Sequence, residues 1–323
     1  MSSPPGVPNR ASAQARPPSD RIARLIARAE ALRERGRTDA AWALNRRAVA
    51  RAPEDHRAVM AMAAALPTEV SWPVDETTRE RATAVREAIL AAGSGAPPQM
   101  QHWLAWSHAL AGELRPAVDV AARSVGLQDD AARTWLQRIA LLAVRAESLH
   151  VARDALRAAH RAMPQDSSIL SDLGAVELAL GLPEDAVSRF ERVLGRRPED
   201  LSARRDLAGA LVAAGHATDA VGQLQRCLDA HPEETEIRLE LARAALDAGQ
   251  AAVAEAASRA AIAQLAGDDP RGWTALGDAL VARGRGPAAA GAYEEALRRD
   301  AGNVRARRGL DALAATPDSR DNP

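Results

Sequence analysis

The sequence contains no lysine, and all 42 of its basic residues are arginine. This absence excludes every chemistry that needs a lysine amine, including a Walker A phosphate site, a Schiff-base nucleophile and a lysine general base. We interpret the bias as the arginine and alanine codon preference of a GC-rich genome, and we expect a bacterial protein.

Cysteine and aromatic residues are also scarce. Cys227 is the only cysteine, so the chain can form neither an intramolecular disulfide nor a cysteine-based zinc site. Phe, Trp and Tyr make up 2% of the residues, too few for one compact core built from large side chains. A stack of repeats, which buries alanine and leucine between neighbours, accounts better for this composition.

Long apolar runs and an excess of one sign of charge are absent as well. No run approaches the ~18 apolar residues of a membrane span, and the opening MSSPPGVPNR contains no hydrophobic signal region. A formal net charge of −1 provides no long-range field to attract nucleic acid or an anionic membrane. We therefore expect a cytoplasmic protein that binds neither.

Motifs of common enzyme and metal sites are missing too. The sequence contains no HExxH, GxSxG or GxxxxGK[ST] motif, and its 7 histidines are scattered. His102 and His108 lie six positions apart, which places them on different faces of a helix. We therefore expect no enzymatic activity, no cofactor and no metal.

What the sequence does contain is a repeat of 34 residues. The interval separates the prolines and glycines Pro164, Pro198, Pro232, Gly181, Gly215 and Gly249, and a further glycine follows at Gly284. The stretch from Ser167 to Asp200 has the apolar spacing of two amphipathic helices joined by a tight turn. A fixed period of this length is typical of stacked helical repeats.

The repeat resembles the tetratricopeptide repeat (TPR) family. The clearest unit reads Trp273-x-x-Leu276-Gly277-x-x-Leu280, followed by Gly284, Ala289, Tyr293 and Ala296, and the pattern recurs in phase from about Ile22 to Asn303. The resemblance implies an all-α, right-handed superhelical solenoid of antiparallel helix pairs. It also implies about eight repeats, a C-terminal capping helix and a concave groove for a peptide or protein partner.

The pattern further predicts how the chain is organised. We expect a disordered arm over residues 1–20, N-terminal repeats over 21–97, regular repeats over 98–303, a capping helix over 304–315 and a disordered tail over 316–323. The second repeat is irregular because Pro67 and Pro73 forbid a continuous helix, so we place an insertion at residues 67–75. Trp72 lies in this insertion, where it either anchors a partner or pins the loop to a neighbouring helix.

In the TPR family, certain positions of the first helix of each repeat line the groove. Carried over to this sequence, they give the candidate partner-binding residues His102, Trp103, Trp106, Arg138, Asp172, Arg205, Asp206, Glu240, Arg243 and Asp278. Trp103 and Trp106 share a helix face, and they either form an aromatic patch in the groove or pack against the irregular repeat. The charged candidates either recognise a polar extended segment or form a solvated face with local ion pairs.

The functional hypothesis is therefore a scaffold that binds a peptide or protein partner in the groove. The alternative is an accessory or regulatory subunit of an enzyme or transcription system whose catalytic partner is another chain. A subset of TPR proteins recognises C-terminal carboxylates through lysine and asparagine at groove positions. This sequence does not match that clamp, which argues against the binding of chaperone tails.

Overall fold

The computed structural model describes residues 18–93, 97–124, 130–265 and 267–315. Within these ranges the regular structure is α-helical and no strand occurs. The chain divides into two compact units, Met1–Met163 and Pro164–Pro323. The first helix begins at Pro18, so most of the predicted N-terminal arm, like the whole predicted C-terminal tail, lies outside the described residues.

The first unit contains four helix pairs. Its helices are α1 (Pro18–Glu34), α2 (Thr38–Arg51), α3 (His56–Ala63), α4 (Glu76–Ala91), α5 (Pro98–Leu110), α6 (Leu114–Ser124), α7 (Asp130–Arg145) and α8 (Leu149–Ala162). Each helix packs against the next one in sequence, and α5 also contacts α7.

The second unit contains four further pairs and a final single helix. Its helices are α9 (Ser167–Ala179), α10 (Pro183–Arg196), α11 (Leu201–Ala213), α12 (Ala217–Ala230), α13 (Thr235–Asp247), α14 (Ala251–Gln264), α15 (Pro270–Ala282), α16 (Gly286–Arg299) and α17 (Val304–Ala315). The first helices of successive pairs contact one another from α9 to α15, and α15 contacts α17. The eight pairs and the last helix found in the described ranges confirm the predicted all-α, TPR-like architecture.

Aspartate side chains cap the N-termini of several of the first helices of the pairs. Asp166, Asp200 and Asp269 each precede such a helix and accept a hydrogen bond from a backbone N–H of its first turn, over 2.8–3.0 Å. These N–H groups have no partner within the helix, so an N-cap of this kind stabilises it by about 1 kcal/mol.

The turns inside the helix pairs require a left-handed backbone conformation. Gly215 has a φ of 82°, and the glycines at the equivalent places have similar values. Glu147 stands where the fourth pair lacks the glycine, and it adopts the same conformation with a φ of 56°. A side chain is strained in this region of φ, so the fourth pair keeps the turn geometry at a cost in free energy.

Close contacts between small and large side chains hold each pair together. Phe190 of α10 lies against Gly174 of α9, where a Cβ would come within 2.8 Å of the Phe190 Cζ. In the same unit, Cys227 is 1% exposed and belongs to a core cluster with Leu224 and Leu241. Its burial among these side chains gives the cysteine a packing role, and burial raises the pKa of its thiol.

The irregular repeat of the first unit contains a long connection between its helices. Helix α3 ends at Ala63 and α4 begins at Glu76, so the segment with Pro67 and Pro73 is not helical. Asp75 ends the connection by accepting a 2.8 Å hydrogen bond from the backbone N–H of Thr78.

Candidate functional site

The second unit contains a cavity of about 310 Å³ between α13, α15 and the start of α17. Three of the predicted partner-binding residues line it, namely Glu240, Arg243 and Asp278. The remaining lining residues are Glu236, Leu239, Leu246, Arg271, Thr274, Ala275, Asn303 and Arg305. The wall therefore combines apolar side chains with charges of both signs.

Most of these charges are paired between successive repeats. Arg205 of α11 donates from Nε to both carboxylate oxygens of Glu240 on α13, each over 2.8 Å. Arg271 of α15 donates to both oxygens of Glu236 on α13, over 3.0 and 2.7 Å. A planar guanidinium matches a carboxylate in this way, so each pair fixes both side chains.

Arg271 also binds the residue that caps its own helix. It donates from Nη2 to Asp269 Oδ2 over 2.6 Å, and this hydrogen bond lowers the pKa of the Asp269 carboxyl although burial opposes the shift. The contacts with Asp269 and Glu236 together raise the pKa of Arg271. Arg271 therefore stays charged and is engaged on two sides.

Asp278 is held by two donors at the edge of the cavity. The hydroxyl of Tyr293 donates to Asp278 Oδ1 over 2.7 Å, and Arg305 of α17 forms an ion pair with Oδ2 over 2.8 Å. Burial and the bond to the carboxylate raise the pKa of Tyr293, so its hydroxyl remains a donor. Helix α17 thus supplies part of the site as well as covering the end of the repeats.

Arg243 differs from its neighbours. Its side chain is exposed and lines the cavity, yet within the described residues it forms neither a hydrogen bond nor an ion pair. The side chains of Leu239 and Leu246 line the same cavity. An unpaired guanidinium beside apolar groups is suited to receive a carboxylate from another molecule.

The structure places the other charged candidates outside this cavity. Arg205 reaches it only through Glu240, whereas Asp206 and Asp172 are exposed on α11 and α9. Desolvation by neighbouring groups raises the pKa of the Asp206 carboxyl, and the nearby charge of Arg205 opposes this shift.

Sequence reasoning missed five polar residues of the cavity: Glu236, Arg271, Thr274, Asn303 and Arg305. Glu236 and Arg271 occupy the second position of their helices, which is one of the groove positions of the family, so that pattern could have identified both. Arg305 is also second in its helix, but the sequence indicated a capping helix there with its arginines directed outward.

The aromatic candidates lie in the first unit and are largely internal. His102 and Trp106 are each 2% exposed, and Trp103 is partly exposed. Trp106 donates from Nε1 to the carbonyl oxygen of Pro67 over 2.8 Å, so it packs against the irregular repeat, which is one of the two predicted alternatives.

Trp135, which the sequence analysis did not single out, joins these aromatic residues. Its ring centroid lies 4.9 Å from that of Trp103 and 5.6 Å from that of Trp106. The guanidinium of Arg138 lies 4.9 Å from the centroid of Trp135, a distance at which a cation is attracted to the ring face. Arg138 also lines a separate cavity beside residues 68–70.

Metal-binding clusters and membrane-spanning helices are both absent from the described ranges. No group of three or more His, Cys, Asp or Glu side chains in them is placed to hold a metal ion. None of the helices described is both long and apolar enough to cross a membrane.

Comparison with known families and structures adds to these observations. Two family models, both of the tetratricopeptide repeat, match the chain, one over residues 171–234 and 274–315 and the other over residues 211–279. The matched segments include every helix that lines the cavity of the second unit. No curated protein matches the sequence.

Solved structures share the fold at low sequence identity. The C-terminal part of a TPR repeat-containing protein from Cytophaga hutchinsonii is 16% identical, with 72% of this chain and 96% of that one covered and a TM-score of 0.51. YrrB, a TPR protein with an unusual peptide-binding site, is 16% identical, with 60% and 99% covered and a TM-score of 0.50. At such identities the likeness shows the fold alone.

Proposed function

This chain belongs to the tetratricopeptide repeat family, and we propose that it is a non-catalytic scaffold that binds an extended segment of a partner protein. TPR folds serve in general as protein-interaction scaffolds. The proposed binding site is the cavity between α13, α15 and α17 in the second unit.

The single observation that carries this proposal is the state of Arg243. Around it, Arg205, Arg271 and Arg305 are each satisfied by a carboxylate of the same unit. Arg243 has no such partner within the described residues, although it faces the cavity. We expect an acidic side chain of the bound segment to pair with Arg243.

The paired charges around Arg243 define what else the segment can contact. Because the ion pairs hold Glu236 and Glu240 in place, the cavity keeps its shape before a partner arrives. The apolar side chains of Leu239, Leu246 and Ala275 provide a surface for an uncharged side chain next to the acidic one.

Affinity capture from a native lysate, quantified by mass spectrometry, tests the proposal. The bait is the full chain in three forms: unchanged, Arg243→Ala and Arg226→Ala. Arg226 is the matched control because it is exposed on α12 and lies outside the cavity. We expect proteins that are retained by the unchanged chain and by Arg226→Ala but lost from Arg243→Ala.

Recovery of the same proteins with all three baits would show that the cavity is not the binding site. A combined replacement of Arg205, Asp206 and Arg243 with alanine tests the wider predicted surface in the same assay. If this triple variant still retains every partner, the charged face has no part in binding.

A further inference from the structure

The first unit carries a second surface that ordinary repeats lack, because the connection between α3 and α4 helps to build it. Two adjoining cavities, of about 330 and 620 Å³, lie on either side of residues 69–70. They share Glu69, Val70 and Arg145, and the larger one reaches Trp72. We call this region, formed by residues 68–72 and α7, the insertion surface.

Two hydrogen bonds from neighbouring helices hold the insertion surface in place. The buried indole of Trp106 binds the carbonyl of Pro67 over 2.8 Å, and the guanidinium of Arg145 donates to the carbonyl of Val70. Two side chains from two different helices therefore fix the backbone of the connection against α5 and α7. A surface fixed in this way requires little ordering when a partner binds.

Apolar side chains are exposed across this surface. Leu141 is 52% exposed and lines the smaller cavity, while Trp72 is 38% exposed at the larger one. Val144, three residues after Leu141 on α7, is also 38% exposed and shares its helix face. Single exposed apolar residues are ordinary, but a group of them beside a cavity indicates an interaction site.

The charge of the insertion surface is positive. Arg138 stacks on Trp135 and Arg145 binds a backbone carbonyl, and in the part of the chain that the structure describes neither forms an ion pair with a carboxylate. Glu69 is the one acidic residue among the described residues that line the two cavities. In the second unit, by contrast, Arg205 is neutralised by a neighbouring carboxylate.

We propose that the insertion surface docks a segment of another protein that carries large apolar side chains flanked by aspartate or glutamate. The apolar side chains would cover Trp72 and Leu141, and the carboxylates would reach Arg138 and Arg145. Residues 1–17 of this chain do not fit this description, because they contain two arginines and no acidic residue. Residues 316–323 contain acidic residues but no large apolar one.

A peptide array provides the first test. The full chain is applied to immobilised twelve-residue peptides, each with two leucines or tryptophans and with flanking positions filled by Asp and Glu, by Ser, or by Arg. We expect retention on the acidic set above the serine set, and none on the arginine set. No retention, or retention that ignores charge, would overturn the proposal.

Affinity in solution is then measured with the strongest acidic peptide, labelled with fluorescein, by fluorescence polarisation. Leu141→Glu places a like charge and a polar group in the contact, so we expect at least a tenfold weaker affinity, on the order given for such repulsion. Leu90→Glu is the matched control, because Leu90 is 63% exposed on α4 and lines neither cavity. Equal losses in both variants would contradict the proposal.

Replacement of Arg138 and Arg145 together by glutamine tests the charged part. We expect a several-fold weaker affinity and a flatter dependence on salt, because screened charge pairs no longer contribute. Arg226→Ala removes an exposed arginine that lines neither these two cavities nor the cavity of the second unit, so it should leave the affinity unchanged. If Arg243→Ala weakens the affinity for the peptide and Leu141→Glu does not, the peptide does not bind at the insertion surface and the proposal is wrong.

A membrane is the competing occupant, since arginine and tryptophan also favour an anionic lipid surface. Vesicles of phosphatidylcholine with phosphatidylserine are therefore added as a second probe in a flotation assay. We expect the protein to stay unbound. Flotation that Leu141→Glu abolishes, together with an array that retains no protein, would assign the surface to lipid instead.

Discussion

The ring of Tyr293 packs so closely against Gly277 that a Cβ on this glycine would lie 2.4 Å from the tyrosine Cε1. The same ring also meets Gly309 of α17, where a Cβ would lie 2.4 Å from Cζ. The hydroxyl is meanwhile bound to Asp278. Because contacts with two glycines and a hydrogen bond at the hydroxyl fix the ring, it cannot move aside for an added methyl group.

This arrangement predicts opposite effects for two glycine replacements in the same unit. Gly277→Ala should lower the free energy of unfolding by about 1–3 kcal/mol, as overpacking of a close contact does. Gly291→Ala should raise it by about 0.5–1 kcal/mol, because alanine favours a helix and no atom lies within 4 Å of the position. Urea unfolding followed by circular dichroism measures both.

The pair of variants controls for helix propensity, since the chemical change is the same. If Gly277→Ala were as stable as Gly291→Ala, the ring of Tyr293 would not be fixed between the two helices.

The turn at Glu147 predicts that a glycine there stabilises the first unit. Glu147→Gly removes the strain of a left-handed side-chain residue and should raise the free energy of unfolding by up to about 1 kcal/mol. Gly215→Val introduces that strain, with a β-branched side chain, and should lower it by about 1–2 kcal/mol. Thermal melts of the two variants beside the unchanged chain compare them, and a lower melting temperature for Glu147→Gly would contradict the assigned turn.

Glu255 predicts a dependence of stability on pH. Burial opposes its ionisation, but hydrogen bonds from Arg259 and Arg283 outweigh burial and hold its pKa below the ordinary value of 4.5. The folded state therefore binds fewer protons than the unfolded state below that value. The carboxylate contributes fully above pH 4.5, and its contribution is lost as the pH falls through the folded pKa.

Urea unfolding of Glu255→Gln across this pH range checks the sign. We expect the variant to be less stable than the unchanged chain at about pH 7, with a difference that shrinks as the pH is lowered below the ordinary carboxyl value. Glu294→Gln is the control, because Glu294 is exposed on the neighbouring α16 and forms no ion pair within the described residues. A difference for Glu255→Gln that stays constant down to about pH 3 would refute the linkage.

The hydrogen bond from Trp106 predicts how the irregular repeat exchanges its amide protons. Trp106→Phe keeps the aromatic bulk but leaves the Pro67 carbonyl without its donor. Backbone amides of residues 68–72 should then exchange faster, while those of α15 in the other unit should not change. Hydrogen–deuterium exchange read by mass spectrometry measures both segments, and unchanged exchange at residues 68–72 would mean that other contacts hold the connection.

The repetitive part of the fold could be predicted from the sequence because its signals are local. The spacing of Gly181 and Gly215 reports a backbone conformation that few residues other than glycine adopt without strain. Asp200 and Pro183 mark helix starts in the same direct way. Each of these signals acts within one turn of helix, so one sequence is enough to reveal it.

The candidate site is harder to predict from the sequence, because contacts between repeats determine which of its charged side chains are paired. Whether Arg205 is exposed to a partner or bound to Glu240 depends on the distance between two helices that lie far apart in sequence. Arg243 and Arg205 are indistinguishable by residue type, and only the structure separates the paired one from the unpaired one. The same dependence on contacts between helices explains why the sequence did not identify Arg305 as part of the cavity.

The sequence predicts that the irregular repeat interrupts the helical pattern, but it does not predict the insertion surface. Pro67 and Pro73 predict that the helix ends, but they do not predict against which helices the connection packs. That position depends on Trp106 and Arg145, which bind its carbonyls from two other helices. Backbone acceptors leave no trace in the residue pattern, so such an attachment has no sequence signal.

The burial of Cys227 has one more consequence. As the single thiol of a chain without lysine, it gives the second unit a lone reactive reporter in a core that solvent does not reach. An aromatic disulfide reagent can modify it only when α12 separates from its neighbours, so the modification rate counts those openings. A partner that binds the second unit and reduces its opening will slow this reaction. The modification rate of the thiol therefore reports ligand binding.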